Sequence, residues 1–185
     1  MLTTTPTFEH LYRLFPGSDD QPTVKLVDGD AVPDPYQGLL VHTHHMTVTV
    51  EAFYRSPVDV RVLTCRRNGN DYARKILLAL RGSGKVVQFG LVRIDLGVCP
   101  APVRDAIVEG GVPLGRVLIQ HDMLRRIEPT AYLRARLSSV MAGWFGVAPG
   151  AETYGRLGVI YTGPRPAVEV LEILAPVGAP EYEPE

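Results

Sequence analysis

Three strand-like runs, separated by two turn signals, limit what this chain can fold into more than any other feature. In Val58–Arg66, residues Val58, Val60 and Val62 share one face, because side chains alternate sides along an extended backbone. Arg67-Asn68-Gly69-Asn70 follows and contains Asn-Gly, a strong hairpin signal. Asp71–Leu80 is the second run, Gly82-Ser83-Gly84 the next turn, and Val86–Leu96 the third run. Residues 58–96 therefore predict an antiparallel meander.

The remaining segments extend this pattern. Residues 5–15 read as a short amphipathic helix: Phe8, Leu11, Tyr12 and Phe15 recur at helical spacing, and Pro16-Gly17 ends the run. Residues 16–36 are rich in Asp, Gly and Pro and read as loop, so residues 1–37 form an N-terminal extension packed on the domain. Leu39–Glu51 is open to two readings. Alternation over Thr47–Val50 fits a strand, and continuation into Phe53-Tyr54 fits a helical turn. Pro102–Glu109 predicts a helix stopped by Gly110-Gly111, and Pro113–Gln120 a second. Met123–Ala135 is a strand interrupted at Pro129, and Ser138–Gly150 a helical turn and loop carrying Trp144. Glu152–Thr162 and Arg165–Pro176 are strands joined by Gly163-Pro164, and residues 177–185 form a Pro- and Glu-rich mobile tail. Two sets of three strands with helices between them define an α+β class: a six-stranded antiparallel sheet with flanking short helices, in a single domain over residues 1–185.

Several function classes are disfavoured. A net charge of −1 leaves no electrostatic footprint for nucleic acid or an anionic membrane. No apolar run approaches membrane-spanning length, and Met1–Pro6 lacks the pattern of a signal peptide, which makes the cytoplasm the expected compartment. Cys65 and Cys99 are too few for a disulfide framework and sit among apolar neighbours, so buried, reduced thiols are expected. His42, His44 and His45 have no further ligand at a motif spacing, so no metal is expected. Gly82-Ser83-Gly84-Lys85 lies in a hairpin turn and is no phosphate loop, and no Gly-x-Ser-x-Gly occurs.

Two charges interrupt apolar strand faces. Val168, Val170, Glu172 and Leu174 share a face, as do Tyr72, Arg74, Ile76 and Leu78. A charge on an inward face is costly unless it is partnered. Arg74 and Glu172 therefore point to a buried polar site. The same pattern also describes a structural ion pair, or strand faces left open to water.

The segment Gly111–Leu118 (GVPLGRVL) resembles the Pro-Leu-Gly-Arg segment of the chorismate pyruvate-lyases. The run from Tyr72 to Leu78 is similar to that family's strand bearing an active-site arginine, and the run from Glu172 to Pro176 to its last strand bearing an active-site glutamate. Trp144-Phe145-Gly146, Tyr154-Gly155-Arg156 and His45-Met46-Thr47 also resemble family segments, so the likeness runs over residues 38–176. Gly90–Asp95 departs from the Arg-Thr pattern of the best-known branch and is nearer to divergent, actinobacterial-type lyases.

The resemblance implies a cofactor-free lyase that converts chorismate to 4-hydroxybenzoate and pyruvate. Arg74 would then hold the ring carboxylate, with backbone N–H groups of Met46 and Leu114 completing the pocket. Glu172 would bond the ring hydroxyl and assist proton movement. Plain core packing accounts equally for the Met46 and Leu114 side chains. The same fold also serves as the effector-binding domain of transcription regulators. The alternative is accordingly a non-catalytic binder of an aromatic or cyclohexadiene carboxylate. No basic helix-turn-helix is legible in the chain.

Overall fold

The computed structural model describes residues 2–123 and 125–178. The meander forms as the turn chemistry requires. Strand β2 (Val58–Asn68) pairs antiparallel with β3 (Asp71–Leu80), and β3 with β4 (Val86–Asp95). Gly69 takes the positive φ of 60° that the tight connection between β2 and β3 needs. The later strands are β5 (Arg125–Arg136), β6 (Glu152–Thr162) and β7 (Arg165–Leu174), with a bulge in β5 between Pro129 and Ala131. Proline has no N–H to give a ladder, which accounts for an irregularity there.

The sheet has seven strands, not six, in the order β1-β5-β6-β7-β4-β3-β2. The additional strand is β1 (Thr23–Val27), which pairs with β5 from inside the segment that reads as loop in the sequence. Only five residues long and largely exposed, it has too little apolar alternation to announce itself. The N-terminal extension is correspondingly part of the fold. Within it, helix α1 (Phe8–Tyr12) is capped by the Thr7 hydroxyl, which accepts from the His10 N–H.

The ambiguous stretch is helical: α2 (Tyr36–Leu40) and α3 (Met46–Tyr54). The remaining helices are α4 (Ala101–Glu109), α5 (Leu114–Gln120) and α6 (Ser139–Phe145). Helices α1 and α6 pack on one face of the sheet, where Phe8, Leu11, Met141 and Phe145 meet Leu77, Phe89, Leu91, Leu171 and Ile173. Helices α2 to α5 cover the other face. There Val103, Ile107 and Leu118 pack on Ile94, Val168 and Val170, while Leu40, Met46 and Val50 pack on Ile76, Leu78 and Leu174.

Helices on both faces explain why β3 is buried at every position from Tyr72 to Ala79. Edge strand β2 is exposed over most of its length, and Cys65 is exposed with it, contrary to the buried thiol expected. Cys99 is half-buried, and burial raises its thiol pKa. Of the tail expected to be mobile, Val177 donates its N–H to the Tyr36 hydroxyl at 2.8 Å, and residues 179–185 lie outside the described residues. No helix of the described residues is long and apolar enough to cross a membrane.

Candidate ligand-binding site

Between the two apolar clusters on the α2–α5 face lies a cavity of about 50 Å³. Its floor is the central sheet: Arg74, Ile76 and Leu78 of β3; Gln88, Gly90 and Val92 of β4; Val170 and Glu172 of β7. Its roof is the start of α3 (His45, Met46, Thr47) and the start of α5 (Pro113, Leu114, Gly115). Arg74, Glu172, Met46 and Leu114, singled out in the sequence on separate segments, thus line one space.

Local sequence explains the roof. A Cβ on Gly115 would stand 3.1 Å from the His45 Cβ and 3.1 Å from the Thr47 Oγ1. Glycine lets α5 approach the start of α3 this closely without His45 or Thr47 having to give way. The next residue, Arg116, donates to Glu51 of α3, and Glu51 also accepts from the Val58 N–H at 2.9 Å. The Pro-Leu-Gly-Arg run is therefore a clasp between the two roof helices.

Arg74 is 1% exposed. Its Nη1 donates to the Ile107 carbonyl at 3.1 Å, near the C-terminal end of α4, where carbonyls carry partial negative charge. Its Nε has no partner, and among the described residues no carboxylate reaches the guanidinium. Burial lowers the pKa of Arg74, with the neighbouring Tyr72 hydroxyl opposing, but an arginine stays charged across the accessible pH range. A buried cation without a carboxylate beside it costs the fold several kcal/mol of desolvation that one carbonyl and a hydroxyl only partly offset.

Glu172 has a partner, and it is not Arg74. Its Oε2 accepts from the Arg156 Nε at 2.7 Å, directly across the β6–β7 ladder. Arg156, 2% exposed, also donates from Nη1 to the Leu40 and His42 carbonyls (3.1 and 2.9 Å) and from Nη2 to the His44 carbonyl (3.1 Å). It fastens the segment before α3 to the sheet and neutralises Glu172. Arg74 and Glu172 stand on strands separated by β4. Register places them about 10 Å apart across the sheet and one two-residue step, ~7 Å, along it.

The third polar group is Gln88, 3% exposed, whose Oε1 has no partner. It pairs in register with Leu78 on one side and Leu174 on the other. An unsatisfied amide in such apolar company costs about 1–3 kcal/mol.

Gln88 is not singled out in the sequence, and Arg156 is named there only within the Tyr154-Gly155-Arg156 segment, without a role. Gln88 is the lone polar residue on its face of β4, among Val86, Gly90, Val92 and Ile94, the same signal that marked Arg74 and Glu172; Arg156 shares its face of β6 with Glu152, Tyr154 and Thr162 and carries no such signal. His42 and His44 hold the Arg156 segment together: His42 Nε2 donates to the Leu39 carbonyl at 2.7 Å, and its Nδ1 accepts from the His44 N–H at 3.0 Å. Among the described residues no group of three or more His, Cys, Asp or Glu is placed to hold a metal ion.

No protein-family model matches the chain, and no curated protein matches it either. Solved structures of similar fold do exist. Gene product SA0254 from Staphylococcus aureus superposes with a TM-score of 0.50 at 13% identity, over 69% of this chain and 89% of that one. The ligand-binding domain of a putative GntR-family transcriptional regulator from Bordetella bronchiseptica gives 0.47 at 16% identity, over 69% and 91%. A GntR-family transcriptional regulator from Bacillus cereus gives 0.42 at 10% identity, over 69% and 97%. At 13% identity the likeness to the first of these is one of fold alone.

Proposed function

We propose that this chain binds a small organic carboxylate in the cavity, with Arg74 as the anchor, and that binding rather than catalysis is its role. The observation that carries this reading is a guanidinium removed from water, facing a cavity, with no carboxylate of the protein to pair with. A ligand carboxylate supplies the missing partner, and the planar fork of arginine suits it. The starts of α3 and α5 roof the site, and a contact made beneath them is stronger than the same contact in open water.

A lyase acting on chorismate is the second reading, supported by the shared cavity of Arg74, Glu172, Met46 and Leu114. Against it stands the ion pair of Glu172 with Arg156. Arg156 fixes the Glu172 Oε2 across the β6–β7 ladder, which gives that carboxylate a structural role without any chemistry. The cavity, at about 50 Å³, takes only a few waters at roughly 10–15 Å³ each, so under either reading a ring needs the start of α3 or α5 to move outward.

The test is calorimetric titration of the full chain with a panel of aromatic and cyclohexadiene carboxylates, beside incubation with chorismate. We expect saturable binding that Arg74→Ala abolishes, and no release of pyruvate. A ligand present at a hundred times its Kd should raise stability by about 2.7 kcal/mol. Turnover of chorismate to 4-hydroxybenzoate and pyruvate would install the lyase in place of the binder. Binding unaffected by Arg74→Ala would remove the anchor.

A further inference from the structure

We infer that Gln88 reads the far end of the ligand, so that the site is built for an elongated monoanion carrying a neutral hydroxyl-like hydrogen-bonding group opposite its carboxylate. This rests on the reading of Arg74 as the carboxylate anchor.

Three features of the cavity support it. Arg74 pairs in register with Val92, and Gln88 lies four residues along β4 on the same face, about 13 Å away by strand rise. The two groups therefore stand toward opposite ends of the floor. Between them, Glu172 is already neutralised by Arg156, which leaves Arg74 as the uncompensated charge among the floor residues. One negative charge on the ligand balances it; a dianion brings a second charge with no cation to meet it.

At the far end the Gln88 amide has its Oε1 unmatched, and a hydroxyl, which both donates and accepts, meets either atom of that amide. Its neighbours there are Val60, Leu78 and Leu174. A leucine would pack among them without leaving a polar atom unmet. The unmatched Oε1 of Gln88 gains no hydrogen bond from the fold.

The experiment uses matched pairs of acids that differ only in a distal hydroxyl, benzoate with 4-hydroxybenzoate and cinnamate with 4-hydroxycinnamate. Affinities are measured by calorimetry on the full chain, wild type and Gln88→Leu. Wild type should prefer the hydroxylated member of at least one pair by about tenfold to a hundredfold. Gln88→Leu should bind both members within twofold of each other, at the affinity wild type shows for the unsubstituted acid. Its ligand-free melting temperature should equal or exceed that of wild type, because an unmatched buried amide has been removed. Gln88→Met serves as a second substitution of similar size. A hydroxyl preference that persists in both variants overturns the inference, as does a wild type that binds every pair without preference. Either result leaves the Arg74 anchor standing. A wild type that binds no member of the panel overturns both readings. A lowered melting temperature in both ligand-free variants would assign Gln88 to the fold instead.

Discussion

Arg74 and Arg156 are the same residue type, equally buried, with opposite degrees of satisfaction. Arg156 has a carboxylate and three carbonyls; Arg74 has one carbonyl, the Tyr72 hydroxyl nearby and no carboxylate. Their substitutions should therefore diverge. Arg156→Ala leaves Glu172 without its cation and three carbonyls without a donor, and should lower stability by about 3–5 kcal/mol in urea unfolding. Arg74→Met, which replaces a cation lacking a carboxylate with an apolar chain, should leave stability unchanged or raise it while eliminating carboxylate binding. A strongly destabilised Arg74→Met with intact binding would contradict that assignment. Stability given up at a site in exchange for binding is a common pattern in proteins.

The element that joins the site to the rest of the fold is the segment from His42 to His45. Its geometry assigns a neutral His42, protonated on Nε2 toward Leu39 and accepting at Nδ1. A second proton would sit on Nδ1, facing the His44 N–H and, at 3.4 Å, the Arg156 Nη1. Burial first, and the Arg156 charge second, hold the His42 pKa below its ordinary 6.5. The unfolded state then binds more protons than the folded one at pH values below about 6.5, so stability falls as the pH drops through that window. Thermal melts from pH 7.5 to 5 should show this loss, and His42→Gln should flatten the part due to His42. An unchanged slope in the variant would show that other groups set it. In the β6–β7 ladder, a Cβ on Gly155 would lie 2.5 Å from the Glu172 carbonyl oxygen and 3.2 Å from the Ile173 Cα. Backbone must shift to admit it, so Gly155→Ala should cost about 1–3 kcal/mol and weaken binding by displacing the Arg156–Glu172 rung. Melting temperature and calorimetry together check both parts.

Across the whole molecule, the N-terminal segment closes the sheet face opposite the cavity. Asp20 pairs with Lys75 at 2.6 Å, both buried, and the Lys75 ammonium lies 5.2 and 5.4 Å from the ring centroids of Tyr12 and Phe15. Glu169, fully buried, accepts from the Thr3 N–H and lies 3.3 Å from His10 Nε2 and 3.5 Å from Arg93 Nη1. Deleting residues 2–22 strips Lys75 of its carboxylate and exposes the apolar face that Phe8, Leu11, Tyr12 and Phe15 cover. The truncated chain should lose about 5 kcal/mol or more, enough to abolish a cooperative calorimetric transition in a protein of ordinary stability. A truncation that melts like the full chain would show the segment to be an accessory.

What the sequence determined by itself is what local chemistry determines. Asn68-Gly69 specifies a hairpin, and the antiparallel course of β2, β3 and β4 follows. Period-two alternation placed Arg74 with Ile76 and Leu78, and Glu172 with Val170 and Leu174, so the odd charges of the cavity floor were legible before any contact was known. Partner choice was not. Glu172 belongs to Arg156 because β6 lies beside β7 while β4 separates β7 from β3, and strand order is a property of the assembled sheet. Lys75 and Glu169 escaped notice because alternation marks an inside only when one face is wet; with helices on both faces, the charges that seem to point outward are buried too. The seventh strand and the helix at Met46–Tyr54 were likewise decided by packing: five mostly exposed residues become a strand only when β5 offers an edge, and Thr47–Val50 alternates like a strand but buries its Met46 and Val50 face as a helix against Leu40 and Ile76.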